Sequence, residues 1–373
     1  MKILSRTFLH ALNYISKGWK NSLEASGHEW KWWGIEKPAF DAFDEYEPDM
    51  FIGTTYDLDR ATMKCISARP NMKVVIKAQN WGLLDEHIQR GGAVPTKTHL
   101  ESYEDVNRKR RAFENEYPIG ISDAEEQHRI CDLKARTGKP DLVFNFYHEK
   151  RMEETMGKWK DNGVDIIDMQ PAADRFLHRP VPSVEELESD LSFVGGYWRY
   201  KAINFSRYLV PLCFPVGQYN IKIFGNQPWS VPQYLGCPHD YLINSIFSSA
   251  KICPNISEPH ANEFGFEVNE RVFKLAACKA FCISDNIASL TEDIFTNGEM
   301  PTTDDPKEFR SLVDYYLKEP DLRKQKAEEC YNVVMNGHTY CHRVSKMFKR
   351  LGLPKESDKI LKLVEESNAN QKK

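Results

Sequence analysis

An α/β fold of two consecutive parallel-sheet halves is what the sequence predicts, and three observations predict it. Short apolar runs alternate with amphipathic stretches along the chain, as strands joined by helices in a parallel sheet do. The alternation pauses at RFLHRPVPSVEELESD, where Pro180 and Pro182 punctuate a polar stretch, and restarts at Leu191. The third observation is NERVFKLAACKAFCISDN, Asn269 to Asn286. Val272, Phe273, Ala276 and Ala277 recur at helical spacing, and Phe281, Cys282 and Ile283 then form an apolar run ending in Ser284-Asp285-Asn286.

The first half opens with a strand from Lys2 to Ser5, a helix from Lys17 to Ser26 stopped by Gly27, and a strand from His28 to Trp33. Strands are expected again at Asp49 to Gly53, Lys73 to Ala78, Asp141 to Tyr147 (DLVFNFY) and Val164 to Met169 (VDIIDM). Helices are expected at Asp123 to Arg136, closed by Gly138-Lys139-Pro140, and at Arg151 to Asp161. The second half reads as LSFVGG, a helix near Tyr200 to Leu212, YNIKIFG, a helix from His239 to Ala250, KICPNIS and then the Asn269 unit. Helices follow at Lys307 to Leu317, Asp321 to Met335 and, basic and amphipathic, Thr339 to Leu351. These spans divide the chain into a first domain over 1–180, a second over 181–351 and a frayed polar tail over 352–373. No internal repeat of fixed period is present.

With 373 residues, 41% hydrophobic and 28% charged, the chain can bury the cores of two ordinary globular domains. A net charge of −4 and a pI near 6.3 give no global attraction to nucleic acid or an anionic membrane. The nine cysteines are odd in number and scattered, without CxxC pairs, and read as reduced core residues of a cytosol-like compartment; Cys278 and Cys282 read as packing rather than metal ligands. The opening MKILSRTFLHALNYISKGWK has too short an apolar run for a signal peptide, and no stretch approaches the ~18 apolar residues of a membrane span. A cytoplasmic protein is expected.

In parallel sheets ligands bind at the carboxyl ends of the strands, and two such halves define a cleft between them. After the LSFV strand comes Gly195-Gly196-Tyr197-Trp198-Arg199, where glycines admit backbone N–H groups close to an anion and a guanidinium can grip phosphate. A plain turn explains the same residues, since neither a full GxGxxG nor a P-loop is present. Gly225-Asn226-Gln227-Pro228-Trp229 is similarly placed after YNIKIFG, with a structural Trp as its plainer reading.

Taken in order, LSFVGGYWRYK, YNIKIFGNQPW, the AKICPNIS strand, NERVFKLAACKAFCISDN and DYYLKEPDLRKQKAEECYNVVMNGHTYCHRV resemble glycosyltransferases built from two Rossmann-like domains facing a central cleft, the GT-B type. More narrowly they resemble the spore-maturation, CgeB-like group. The resemblance covers Leu191 to Leu351; the first half matches in architecture and in phrases such as EASGHEW. It implies a nucleoside diphosphate sugar as donor substrate, with no cofactor and no required metal. It implies that Gly195, Gly196 and Arg199 meet the donor diphosphate, and that Asn269, Glu270 and Arg271 face the same cleft from a helix start, whose dipole favours phosphate. Tyr234, Leu235 and Gly236 stand where such folds hold the base. Against these roles, Glu270 and Lys274 read as an i,i+4 surface pair and Asn269 as a helix cap. Related enzymes carry glutamate at the Lys274 position and glycine at the Lys279 position. The lysine at 274 therefore either meets phosphate or marks a changed donor, and loss of activity is a further reading.

The first half is expected to supply the acceptor site and general base. His10 and His148 follow strands and titrate near neutral pH; each is also readable as a polar loop residue, and Glu149 adjoins His148. Asn80-Trp81-Gly82 can stack on a ring or simply pack. Asp57-Leu58-Asp59 mimics a metal-binding aspartate pair, but a helix begins there and capping explains it better. The basic run Asn107-Arg108-Lys109-Arg110-Arg111 reads as a solvated face, with a polyanion contact as the alternative. The expected activity is sugar transfer to a hydroxyl of a glycan, protein or small molecule. The alternatives are transfer to hydroxymethylated DNA, a sugar-nucleotide-binding protein without activity, and a sugar-nucleotide epimerase.

Overall fold

The computed structural model describes residues 1–6, 11–34, 36–78, 130–131, 133–148, 150, 152, 160, 163–198, 201–265 and 267–371. They form two compact units. One contains the described residues up to Gln170 together with those from Tyr340 onward; the other is Pro171–Thr339.

The first unit is built on six parallel strands, β1 (Lys2–Arg6), β2 (Glu29–Trp33), β3 (Met50–Thr54), β4 (Lys73–Lys77), β5 (Leu142–Asn145) and β6 (Ile166–Asp168), in the order β2-β1-β3-β4-β5-β6. All five residues of β3 and all four of β5 are buried, which is why these strands read as unbroken apolar runs rather than alternations. The helix Ala11–Ala25 covers the sheet through Trp19, whose ring meets Phe144 edge-on at 5.0 Å.

The second unit has β7 (Ser189–Val194), β8 (Ile221–Phe224), β9 (Ala250–Asn255), β10 (Cys282–Asp285) and β11 (Thr302–Thr303), also parallel, in the order β11-β10-β9-β7-β8. In both sheets the first strand lies between the second and the third. Each sheet therefore has a topological switch point, between β1 and β3 in one and between β7 and β9 in the other, and such points open crevices at the strands' carboxyl ends. The Asn269 segment folds as expected: the helix Glu270–Ala277 buries Val272, Phe273, Leu275, Ala276 and Ala277 before β10. Lys279 adopts φ +51°. Its ammonium is held 2.6 Å from Glu328 and 4.5 Å from the Tyr331 ring, contacts that offset the strain of a left-handed residue. The two-residue β11 is too short to announce itself in the sequence.

The chain end departs from expectation. The helix Tyr340–Arg350, expected with the second domain, belongs to the first unit, and the expected frayed tail is the helix Pro354–Gln371. The first of these helices buries Tyr340, Cys341, Val344, Met347 and Phe348 and ties its polar face to the β6 region: Arg350 binds Asp165 at 2.6 Å, Lys346 pairs with Asp168, and Arg343 Nε donates to the Gln170 carbonyl at 3.1 Å. Gly18 makes this packing possible, because a Cβ there would lie 2.0 Å from the Tyr340 ring. The last helix buries Ile360 completely and brings Glu356 to 3.4 Å from His28. The expected boundary at 180 thus lies at 170, and 340–371 return to the first unit because their apolar faces are completed there.

The nine cysteines are all unpaired thiols, with Cys278 and Cys282 buried in packing positions. Among the described residues no helix is long and apolar enough to cross a membrane, and no group of three His, Cys, Asp or Glu side chains is gathered as for a metal ion. The expected helix from Arg151 to Asp161, most of that from Asp123 to Arg136, the Asn80-Trp81-Gly82 segment and the basic run at 107–111 lie outside the described residues. Replacing Ile360 with Ala should destabilise the protein by about 2–5 kcal/mol, the cost of truncating a fully buried aliphatic side chain. Chemical denaturation measures it, and a frayed tail would give a change near zero.

Candidate functional site

The carboxyl ends of β7, β8, β9 and β10 hold a polar constellation inside the second unit. Its structural centre is Arg271, in the first turn of the helix Glu270–Ala277. Nε donates to the Val194 carbonyl at 2.9 Å, and Nη1 to Asn255 Oδ1 at 3.2 Å and the Ile256 carbonyl at 3.4 Å. One side chain thereby ties the end of β7 to the end of β9 across the switch point. The guanidinium lies 4.4 Å from the Phe193 ring centroid, and burial lowers its pKa to about 10, so it remains a cation. Nη2 makes no hydrogen bond to a described residue and stands beside Gly195, where a Cβ would meet it at 2.6 Å.

The glycines are explained by close approach. A Cβ on Gly225 would fall 2.3 Å from the Gly195 carbonyl oxygen, and one on Gly196 would fall 2.4 Å from Asn226 Oδ1. The β7 turn is fixed from the β8 side: Gly195 N–H donates to the Phe224 carbonyl at 2.8 Å, and Trp229 Nε1 donates to the Gly195 carbonyl at 2.8 Å. Trp229 is thus structural, packed on Phe193 and Phe205. Tyr234, a candidate base contact, gives its hydroxyl to the Gly225 carbonyl at 2.9 Å and bridges Ile223; Leu235 is exposed, and Gly236 turns with φ +94°.

At the helix start, Asn269 occupies the cap position with φ −71° and ψ 153°, but its side chain makes no cap hydrogen bond. Its Oδ1 is enclosed without a partner, so the expected capping role is not realised. Glu270 and Lys274 form the expected i,i+4 pair at 2.6 Å, with both side chains largely covered rather than solvated. Burial, together with the nearby Lys274 charge, lowers the pKa of His178 to about 3 and keeps its imidazole neutral.

Behind this surface lies a network that sequence reasoning missed. Asp285, fully buried, accepts hydrogen bonds from Ser257 N and Ser257 Oγ, both at 2.9 Å, and from Asn262 Nδ2 at 3.0 Å. Burial raises its pKa, and these donors oppose that rise. Asn204 Nδ2 donates to the Ser257 carbonyl at 2.9 Å and to Asn262 Oδ1 at 2.6 Å, while Asn255 Nδ2 reaches Ser284 Oγ at 2.8 Å. The available signal was polar residues closing apolar strands, Asn255 in CPNIS and Asp285 in CISDN. Of the other candidates, His10, Glu149 and Arg199 lie outside the described residues. His148 follows β5 in the first unit, half-buried, and its Nδ1 accepts from Lys150 N at 3.4 Å. Replacing Gly225 with Ala should cost about 1–3 kcal/mol, because the clash is with backbone that cannot rotate away. Thermal and denaturant unfolding read it.

Residues 210–349 match the family described as glycosyl transferase-like. No curated protein sequence matches the chain. Sucrose-phosphate synthase from Thermosynechococcus elongatus superposes with TM-score 0.59 at 10% identity, covering 94% of this chain and 98% of its own. T4 phage β-glucosyltransferase, in complex with UDP and Mn2+, gives 0.54 at 14% identity over 96% and 100%. An α-glucosyltransferase in complex with UDP-glucose and DNA gives 0.62 at 10% identity over 94% and 98%. At these identities the likeness is one of fold. The two parallel-sheet units are those of the GT-B glycosyltransferase fold, and residues 210–349 match the glycosyl transferase-like family model.

Proposed function

We propose that this protein transfers a sugar from a nucleoside diphosphate sugar to a hydroxyl acceptor, with the donor diphosphate held at the carboxyl ends of β7 and β9. The observation that carries this reading is the start of the helix Glu270–Ala277, where a cap residue leaves its turn uncapped beside the Gly195–Gly196 turn and the Arg271 Nη2 group. Helix N-terminal amides, a turn with closely approaching backbone and a buried cation together suit an anion whose charge grows as the sugar departs. Arg199, three residues beyond the β7 turn, is assigned the outer cation, and Lys274 a place near the ribose or phosphate. Tyr234 is retained only as a wall of the base pocket, and Glu270 as an acceptor for sugar hydroxyls. The general base is sought in the first unit, where His10 and His148 were the candidates. The narrower kinship proposed is with the CgeB-like group, and a cytoplasmic setting is proposed from the cysteine usage.

Two of the fold's neighbours are in complex with UDP or UDP-glucose, which makes UDP-glucose the first donor to test. Thermal shift against UDP, UDP-glucose and other nucleoside diphosphate sugars should show stabilisation by mass action. Changing Arg199 to Ala should weaken donor binding by on the order of 1.5–3 kcal/mol, the worth of a charged hydrogen bond, with folding intact. The same change at Arg271 should also lower stability, because it removes the β7–β9 tie. Unchanged affinity in the Arg199 variant removes that residue from the site.

The acceptor divides the readings, and the DNA-bound neighbour supports DNA, with hydroxymethylated duplex as its test substrate, as the second. Incubating the protein and labelled UDP-glucose with hydroxymethylated duplex, glycan, protein and small hydroxyl compounds, with and without EDTA, separates them. Transfer is expected to survive EDTA, and the acceptor to be other than DNA. Loss of activity restored by manganese overturns the metal-free assignment, and labelled DNA replaces the preferred acceptor. Donor binding without transfer marks a binding protein, and a 2-epimer formed without acceptor marks an epimerase.

A further inference from the structure

The first unit holds a pocket built from none of the residues assigned to sugar transfer. β4 and β5 are neighbours in the sheet; the helix Arg60–Ser67 leads into β4, and helical residues 133–137 lead into β5. Between these two helical segments is a space of about 560 Å³ lined by Arg60, Met63, Lys64, Leu133, Arg136 and Thr137. That is the size of a small-molecule site. Among the described residues no carboxylate lines it, although the chain as a whole has a net charge of −4.

Neighbouring cations have protein partners. Arg69 Nη1 donates to the Cys65 carbonyl at 3.0 Å, and its Nη2 pairs with Asp44. Lys139 lies 2.9 Å and Lys73 3.6 Å from Asp141, while Lys134 Nζ donates to the Gly138 and Pro140 carbonyls at 3.0 and 3.1 Å. Arg60 and Lys64 make no such contact among the described residues. Asp59, the carboxylate beside Arg60 in sequence, is engaged as the cap of the same helix and accepts from Thr62 N at 2.7 Å. Arg60 and Lys64 are four residues apart on one helix face, where like charges repel and disfavour the helix that carries them. Arg136 adds a third positive charge from the other wall, and Met63 and Leu133 supply apolar surface between. An anion set among these cations turns their mutual repulsion into attraction.

We propose that this pocket binds a small organic molecule bearing two anionic groups, phosphates foremost, held by Arg60, Lys64 and Arg136 with its carbon frame against Met63 and Leu133. Guanidinium groups grip phosphate through paired hydrogen bonds, and the ammonium adds a point charge. Nucleic acid is a poorer occupant. The helix Arg60–Ser67 is only about 12 Å long, room for about two phosphates of a strand, whereas duplex binding gathers many more. The site goes beyond sugar transfer and stands whether or not the protein transfers sugar.

The test titrates the full chain calorimetrically, at low and at physiological salt, with two probes: fructose bisphosphate, whose phosphates lie at opposite ends, and bisphosphoglycerate, whose phosphates are adjacent. Fructose is the uncharged control. One of the two probes should bind at a single site with a dissociation constant below about 1 mM at physiological salt, and more tightly at low salt, while fructose does not bind. The combined Arg60→Gln, Lys64→Gln and Arg136→Gln protein should bind at least about tenfold more weakly, each change removing a charged hydrogen bond. Its unfolding temperature without ligand should be unchanged or raised, because the repulsion between residues 60 and 64 is gone. Lys64→Glu alone gives Arg60 a partner within the helix and should weaken binding at least about fivefold.

A wild type that binds neither probe overturns the proposal. So does binding that the combined variant retains in full, which places the anion elsewhere. If the combined variant does not fold, undiminished binding in Lys64→Glu overturns it. Duplex DNA bound through the same three cations, with both small probes ignored, makes the pocket a polyanion contact and overturns the assignment of a small ligand.

Discussion

The bridge from Arg271 to Val194, Asn255 and Ile256 is the interaction on which the second unit's open edge depends. Parallel strands separate at a switch point because their connections leave in opposite directions, and the backbone groups there lose their ladder partners. A guanidinium supplies several donors in one plane and satisfies carbonyl and amide oxygens from both strands at once. Its presence dictates its neighbours. Residue 195 must be glycine because the Nη2 group occupies the place of a side chain, and the ring of Phe193 lies beneath the cation. Gly225 follows in turn, since the β8 end touches the Gly195 carbonyl.

The buried network around Asp285 extends the same constraint. A carboxylate without exposure is tolerable only when its lone pairs are taken, and Ser257 and Asn262 take them. Ser257 and Asn262 lie on the segment following β9, so the network fixes that segment to the end of β10 while Arg271 fixes the end of β9 to β7. The carboxyl-end edge of the second sheet is therefore set by polar bonds beneath it.

Most of the fold was legible because parallel strands are buried on both faces. DLVFNFY, VDIIDM and KICPNIS announce β5, β6 and β9 as continuous apolar runs with polar ends. The destination of the last two helices was not legible. Their amphipathic pattern demands a partner but does not name one, and Gly18 acquires its meaning only when Tyr340 is laid upon it. The site was half legible for a related reason. Gly195, Gly196 and Gly225 stand out as glycines after strands, but the contacts that require them come from Arg271 and from the neighbouring strand's backbone. Arg271 begins the helix as its sequence position suggested, with much of its hydrogen-bonding capacity spent on the protein. Asn269 has the type of a cap and not the bond of one, whereas Asp57 has both.

The return of Tyr340–Arg350 and Pro354–Gln371 to the first unit has a consequence for biosynthesis. A ribosome makes chains from the N-terminus, and domains generally fold as they emerge. Here the described residues of the second unit, Pro171–Thr339, are complete before the helices that pack on Gly18 and the β6 region exist. The half that begins first is therefore finished last, and until the final helices arrive the helix Ala11–Ala25 lacks the apolar partner that Tyr340 supplies at Gly18. A stalled or truncated chain would present that helix to the folding machinery of the cell with its second half already native.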